Sequence, residues 1–337
     1  MSDEAQPTLS QPRRRSAMSF VRPVIALAVI CGVLTMLFAR VWAAIAPDVT
    51  PGLAVYAAFG SIVMIAFWWH AGVVMAMLAL AAASARMRAT AAAAALAAVF
   101  GLAPWISSLV PSSHSPAKED PSLVVYSANL LHCTADPDII AADLDRLDVD
   151  VLALQELHAP HLERYVAAFR DRLPHAEIYR TRGSFQAVLS RWPIVSRARA
   201  SRRGVVIDWQ GRRVRIKSIH LMTPISRSGV LAQDEQSRRL AAEAWDDTEM
   251  VILAGDFNAP RGTAVMRRLT RAGFSEVFDV SKAGVAGTWA PKPLLGRVPG
   301  IHIDHVLARG AGVRSLNAGL GAPNGSDHRA IWAEIAP

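Results

Sequence analysis

The chain changes character near residue 110, and one kind of fold cannot satisfy both parts. Before that point apolar residues come in long runs; after residue 121 they come in short runs separated by polar and turn-forming residues. The overall hydrophobic content of 52% therefore hides an excess gathered into the first third. Long runs suit helices in a hydrocarbon phase, and short alternating ones suit strands and amphipathic helices around a core.

Residues 1–22 are polar and basic, with Arg13-Arg14-Arg15, and read as a disordered cytoplasmic tail. Residues 23–46 are apolar apart from Arg40, enough to cross a hydrocarbon core of ~30 Å. Ala44-Ile45-Ala46 resembles a signal-peptide cleavage site, but Pro47 follows it and more apolar sequence comes after, so an uncleaved span is expected. Residues 53–84 carry no formal charge and are interrupted only by Trp68-Trp69-His70. Each half falls short of the ~20 residues a span needs, which favours one long helix. An Ala-rich run over 90–110 makes a third span.

Arg13 to Arg15 and Arg22 precede the first span, and Arg86 and Arg88 lie between the second and third. Three spans put both clusters on the cytoplasmic side, as the positive-inside rule requires, whereas four would not. The expectation is a multi-pass cell-membrane protein, with the lipid bilayer as a partner and its C-terminal domain extracytoplasmic. Residues 111–121 (PSSHSPAKEDP) read as a linker. A net charge of +8 is too mild to argue for nucleic acid by itself. Cys31 and Cys133 offer neither a disulfide framework nor a zinc spacing. Nothing in the sequence points to a protein partner.

Over 122–337 the pattern is α/β. Leu123 to Leu130 reads as a strand, Asp136-Pro137 as the cap and first position of a helix, and Val149 to Leu154 as a second strand. Val205 to Trp209 and Val214 to Leu221 flank Gln210-Gly211 as a hairpin. Helical spacing runs from Gln233 to Trp245, and Met250 to Ala254 is a buried strand. The basic stretch from Arg197 to Arg215 reads as protection of an edge strand.

Polar side chains stand at the ends of these runs in six segments: Ser127-Ala128-Asn129, Gln155-Glu156, Ser218-Ile219-His220, Gly255-Asp256-Phe257-Asn258, Ile303-Asp304-His305 and Ser326-Asp327-His328. Hydrolysis of a phosphate ester with a hard metal ion needs these parts: a carboxylate for the metal, another for water, amides for phosphate oxygens, and a histidine backed by a carboxylate. Asp256 and Asn258, two apart, face the same side of an extended chain. Gly255 lets backbone approach a ligand closely. Asp304 is costly to bury alone in so apolar a strand, and His328 is its natural partner.

These segments, with Ser190-Arg191-Trp192-Pro193-Ile194 and Thr288-Trp289, resemble the endonuclease/exonuclease/phosphatase superfamily in the family's order. The resemblance covers about residues 122 to 336 and is similar to membrane-anchored bacterial members. It implies a DNase I-like four-layer α/β sandwich, two mixed β-sheets flanked by helices, here preceded by a transmembrane helical region. It assigns Glu156 as the principal Mg2+ ligand, Mn2+ being the substitute, with Asn129 beside it and Asp327 as a further metal-side or leaving-group carboxylate. Asp256 would orient or deprotonate water, Asn258 would donate to a phosphate oxygen, His220 and His328 would stabilise phosphoryl charge, and Asp304 would orient His328. Gln155 joins the phosphate-binding set. His132 and His302 are read as structural, and His158 and His161, which follow Glu156 closely, as surface-loop histidines, with lining of the cleft as the alternative.

The expected activity is a membrane-tethered, Mg2+-dependent phosphoesterase that hydrolyses a phosphodiester by in-line attack of water. Its substrate would be a phospholipid head group, a nucleotide or a nucleic acid. The alternatives are an extracytoplasmic nuclease on DNA or RNA and a catalytically inactive binding module. The tract Gly183-Ser184-Phe185-Gln186-Ala187, often Gly-rich in the family, departs from the pattern at a substrate-contacting loop.

Overall fold

The computed structural model describes residues 17–45, 53–107, 121–181, 183–197, 204–243, 250–277, 287–295 and 300–336. Most of the tail and linker, together with Arg199, Arg202, Arg203 and Trp245, lie outside these residues. The chain divides into two compact units, Met1–Leu37 with Trp69–Ala103, and Phe38–Trp68 with Pro104–Pro337.

Four apolar helices come first: α1 (Ala17–Ile45), α2 (Leu53–Ala66), α3 (Trp68–Ser84) and α4 (Arg88–Ser107). Met18–Ile45 is long and apolar enough to cross a membrane. The single helix expected over 53–84 is instead two, broken at Phe67. The break falls beside the boundary between the two units, so each half buries its face in a different core. In the first unit Gly72 and Gly101 lie so close that a Cβ on either would meet the other's backbone. Arg22 Nε donates to the Ala85 carbonyl at 3.2 Å, next to Arg86 in the chain. In the second unit α2 contributes Val55 and Ala58 to a small apolar cluster with Val230.

The rest of the second unit is built from β1 (Leu123–Asn129), α5 (Pro137–Arg146), β2 (Val151–Leu157), α6 (Leu162–Phe169), β3 (His175–Arg180), β4 (Phe185–Ser190), β5 (Ile194–Arg197), β6 (Val205–Trp209), β7 (Arg212–His220), α7 (Arg227–Ala241), β8 (Met250–Asp256), α8 (Ala264–Arg271), β9 (Ser275–Glu276), β10 (Asp304–Arg309), β11 (Arg314–Leu320) and β12 (Ile331–Ala336). Two six-stranded sheets form, ordered β11-β12-β1-β2-β4-β3 and β5-β6-β7-β8-β10-β9. Each is mixed, with one parallel pair near its centre: β1 with β2, and β7 with β8.

Strand alternation places these layers. Val125, Val151 and Val188 of the first sheet meet Ile207, Ile216, Ile252 and Val306 of the second. The opposite face of the first sheet sends Tyr126, Leu152 and Leu154 against Ile140, Leu144, Tyr165 and Phe169, two from each of α5 and α6. Leu253 and Leu307 of the second sheet pack on Leu240 and Leu269, from α7 and α8. With both faces covered, the central strands read as nearly continuous apolar runs. The result is the expected four-layer sandwich.

Local signals hold where the chemistry is unambiguous. Asp136 caps α5, accepting from the Asp138 amide at 3.0 Å, with Pro137 at the first position. Gln210 and Gly211, at φ 53° and 80°, make the turn between β6 and β7. Positive φ at both central positions matches the twist of a two-residue hairpin. The basic stretch is a partial correction: Arg197 lies on edge strand β5, but Arg212, Arg213 and Arg215 lie on β7, an interior strand.

Candidate active site

Each sheet ends its parallel pair at the same edge of the sandwich, and the polar tips gather there. β1 delivers Asn129, β2 Glu156, β7 His220 and β8 Asp256. β10 runs antiparallel to β8, so its first residue, Asp304, arrives opposite Asp256. His328 comes from the loop before β12.

The Asn129 amide joins the two principal carboxylates. Its Nδ2 donates to Glu156 Oε1 and to Asp256 Oδ2, both at 3.1 Å. His220 Nε2 stands 3.5 Å from Glu156 Oε1 and 3.7 Å from Asp256 Oδ2. His328 Nε2 approaches Asp256 Oδ2 from another side at 3.8 Å, while its Nδ1 bonds Asp304 Oδ2 at 2.9 Å. Asp256, Asp304 and His328 are buried, and the Glu156 and His220 side chains keep 14% and 21% exposure, which puts the mouth at those two. Six of the nine residues read from sequence thus share one pocket.

The other three do other work. Gln155 is wholly buried, its amide donating to Ser218 Oγ at 2.9 Å and to Ser127 Oγ at 3.2 Å. It ties the two sheets together, which corrects the expected phosphate contact. Asn258 has both amide hydrogens engaged, with Leu221 O and Asp256 Oδ2, each at 3.0 Å. Its backbone N–H also donates to Asp256 Oδ1 at 2.7 Å, so Asn258 aims Asp256 rather than offering a spare donor. Asp327 accepts from Trp289 Nε1 at 3.0 Å and comes no nearer than 4.0 Å to His328 Nε2.

Gly255 has a different reason from the one expected. A Cβ there would lie 2.0 Å from Ile219 O. The glycine admits strand β7, not a ligand. Thr288 Oγ1 accepts from the amides of Ile303 and Asp304, both at 3.1 Å, and so fixes the start of β10.

Strain collects at the Glu156 corner. Glu156 adopts φ 59°, where the pairing of β2 with β4 shifts register between Leu154 and Leu157. The bulge turns Glu156 to the pocket although its neighbour Gln155 already faces inward. Leu131, His132 and Cys133 follow β1 with φ 45°, 54° and 66°, three successive left-handed non-glycine residues. That turn aims the His132 N–H at Glu156 Oε2 (3.2 Å), and the His132 ring contacts the same oxygen (3.2 Å) and His158 Nε2 (3.0 Å). His132 was not legible as a pocket residue, because only the strained backbone brings it to Glu156, whereas His158, expected on the surface with the cleft as alternative, meets the His132 ring.

Charge in the pocket is coupled. Burial raises the Asp256 carboxyl and Asp304 adds to the rise, while His328 and His220 pull against it. Burial alone would lower His328, but Asp304, Asp256 and the Asp304 hydrogen bond outweigh it and raise the imidazole to about 10. His328 is therefore a buried cation at neutral pH, held between two carboxylates.

Residues 125–328 match the Endonuclease/Exonuclease/phosphatase family, and the chain belongs to it. It is accordingly a metal-dependent hydrolase of phosphate ester bonds. Among solved structures, the chain is similar to an endonuclease/exonuclease/phosphatase from Beutenbergia cavernae DSM 12333. That match has 21% identity and a TM-score of 0.51, covering 64% of this chain and 71% of that one. A family protein from Bacteroides thetaiotaomicron is 15% identical with a TM-score of 0.50, covering 64% and 98%. D. rerio TDP2 complexed with a single-strand DNA product is 16% identical with a TM-score of 0.50, covering 65% and 100%. These likenesses establish the DNase I-like fold. No curated protein matches the chain.

Proposed function

We propose that the chain is a membrane-tethered, Mg2+-dependent phosphodiesterase whose catalytic domain, residues 122–337, lies outside the cytoplasmic membrane. The observation that carries the reading is the meeting of Glu156 and Asp256 on the single Asn129 amide, with His328 and His220 beside them. Two carboxylates sharing one neutral donor form an oxygen-rich pocket, and oxygen ligands suit a hard divalent cation. Glu156 would hold it, with the Asn129 amide ordering the carboxylates beside it, and when bound it supplies Lewis-acid polarisation of a phosphoryl oxygen.

The protein's own groups account for the remaining chemistry. Asp256 orients and accepts a proton from water, its carboxylate aimed by the Asn258 amide and the Asn129 side chain. His328 presents Nε2 as a donor toward charge that grows on the phosphoryl oxygens, and His220 presents its own Nε2 from the other sheet strand. Asp304 keeps His328 charged and correctly turned through Nδ1. Asp327 contributes through Trp289, which it anchors beside the His328 loop, and through its negative field.

The tethering reading rests on α1 and on Arg22, whose bond to the Ala85 carbonyl holds it beside the Arg86–Arg88 segment. It divides the chain into a cytoplasmic tail over 1–22, a multi-pass region over 23–110 and a linker over 111–121. A periplasm-only reporter fused after Pro337 should be active, and activity only from a cytoplasmic reporter would overturn this topology.

Substrate class is tested by offering the full-length protein phospholipid vesicles and DNA side by side with Mg2+. Release of a phosphorylated head group with DNA left intact supports the phospholipid reading. Cleavage of DNA alone moves the assignment to a nuclease, the reading that the TDP2–DNA likeness would favour. No turnover of either, nor of bis-p-nitrophenyl phosphate, contradicts the proposal.

A further inference from the structure

Behind the catalytic pocket, Glu276, His302 and His305 bring one carboxylate oxygen and two imidazole nitrogens within 4.8 Å of one another. None of them belongs to the catalytic set. We propose that these three side chains form a second, separate metal site for a borderline transition ion of the zinc type.

The local bonding of His305 carries the inference. Its Nε2 lies 2.9 Å from the Ala259 carbonyl, which can only accept, so that nitrogen carries a hydrogen. Nδ1 in the neutral ring is then a lone pair, and it faces Glu276 Oε2 at 2.7 Å. Two acceptors do not rest at that distance without a hydrogen between them, so the pair shares a proton, which a metal ion displaces as it binds and spreads the two ligands apart. The Nε2–carbonyl bond is also the outer contact that metal-bound histidines use to fix their tautomer.

Two further observations favour metal. Glu276 Oε1 is buried and has no hydrogen-bond partner among the described residues, leaving an oxygen for coordination. His302 meets His305 edge to face, ring centroids 4.6 Å apart at 84°. Burial, with His305 and Arg261 nearby, holds His302 well below the ordinary histidine range. A neutral imidazole is the form that ligates. Arg261 Nε stands 3.5 Å from Glu276 Oε2, and at 40% exposure its side chain can swing outward as the ion enters. Two nitrogens and one carboxylate select zinc-like ions over Mg2+ and leave a fourth position for water.

Position in the fold gives the site a structural purpose. Glu276 sits on the short edge strand β9, and His305 on β10 next to Asp304. Phe257, between Asp256 and Asn258, packs edge-on against His305 at 5.5 Å. An ion here would clip the sheet edge to the strand that presents Asp304.

The test uses the full-length protein in detergent, stripped with chelator and titrated with Zn2+ alone against a chromophoric competitor. A Glu156→Gln background weakens metal binding in the catalytic pocket, so the two sites separate. One Zn2+ per chain should bind there, unchanged by millimolar Mg2+, and raise Tm. His302→Gln in that background should lose more than about 100-fold in Zn2+ affinity while keeping its metal-free Tm. Should His302→Gln fail to fold, the more exposed Glu276→Gln carries the same expectation. Retained Zn2+ affinity in these variants, or no tight Zn2+ in the background protein, would show a proton-bridged Glu276–His305 ion pair only and overturn the site.

Discussion

Asp304 and Asp256 are direct cross-strand partners, two buried carboxylates facing each other across the β8–β10 ladder. Like charges so placed repel, and burial sharpens the repulsion. His328 resolves it by bonding Asp304 through Nδ1 and turning Nε2 toward Asp256. The arrangement is a sandwiched cation that the protein must keep for stability as well as chemistry.

Removing His328 therefore exposes the repulsion. His328→Ala should lose activity and about 3–5 kcal/mol of stability, the loss expected when a buried pair is broken from one side. Adding Asp304→Asn removes the stranded charge, so the double variant should recover part of the stability and none of the activity. Thermal unfolding of the four proteins in detergent reads the cycle.

The same pairing sets a pH signature. The folded pKa of His328 is raised to about 10 from an ordinary value of 6.5. A raised imidazole gives stability that is complete below its unfolded pKa and is lost as pH climbs through the folded one. Asp256, also raised, favours the folded state most in acid and loses that contribution as pH rises through its own shift. With chelator present, the Tm advantage of wild type over His328→Ala should hold near pH 6 and shrink as pH approaches 10. A gap that widens over that range would contradict the assignment.

The turn at Leu131, His132 and Cys133 trades stability for position. A left-handed non-glycine residue costs about 1–2 kcal/mol, offset in His132→Gly by ~0.5–1 kcal/mol of glycine chain entropy. That variant should keep its Tm or gain slightly, yet turn over phosphodiester more slowly, because the ring beside Glu156 is gone. A rate equal to wild type would show that His132 plays no part in the pocket.

Gly255 and Gly211 separate steric need from backbone preference. Gly255→Ala drives a Cβ into Ile219 O and should prevent the β7–β8 pair from forming, leaving no soluble folded protein after detergent extraction. Gly211→Ala meets nothing within 4 Å and should cost only about 1 kcal/mol for its left-handed φ. Folding yield and Tm distinguish them.

What the sequence made legible was polarity at the end of apolar runs. Asn129, His220 and Asp256 each close a strand that is otherwise core, and the lone acid Asp304 called for His328. Period-two alternation carries such inference only while the chain stays regular. It could not foresee that Glu156 sits on a bulge, which lets both Gln155 and Glu156 turn inward and leaves Gln155 as an inter-sheet tie. Nor does Leu131-His132-Cys133 contain a glycine to announce a left-handed turn. Two short helices turning at the tryptophans were the weaker expectation over 53–84, because apolar length alone does not say which core each half will join. Glu276 and His305 stand far apart in sequence, and the β9–β10 pairing, which sets Glu276 opposite Leu307, brings them together.

Glu156 and Asp256, joined by Asn129, form the centre of the pocket, and one assay reports on both. Hydrolysis of bis-p-nitrophenyl phosphate by the full-length protein should require Mg2+ or Mn2+. Glu156→Gln and, separately, Asp256→Asn should each reduce it by at least about 100-fold, the scale of losing a positioned acid–base or charge-stabilising group, with Tm showing each variant folded. Equal rates in wild type and both variants, with or without metal, would contradict the assignment of this pocket.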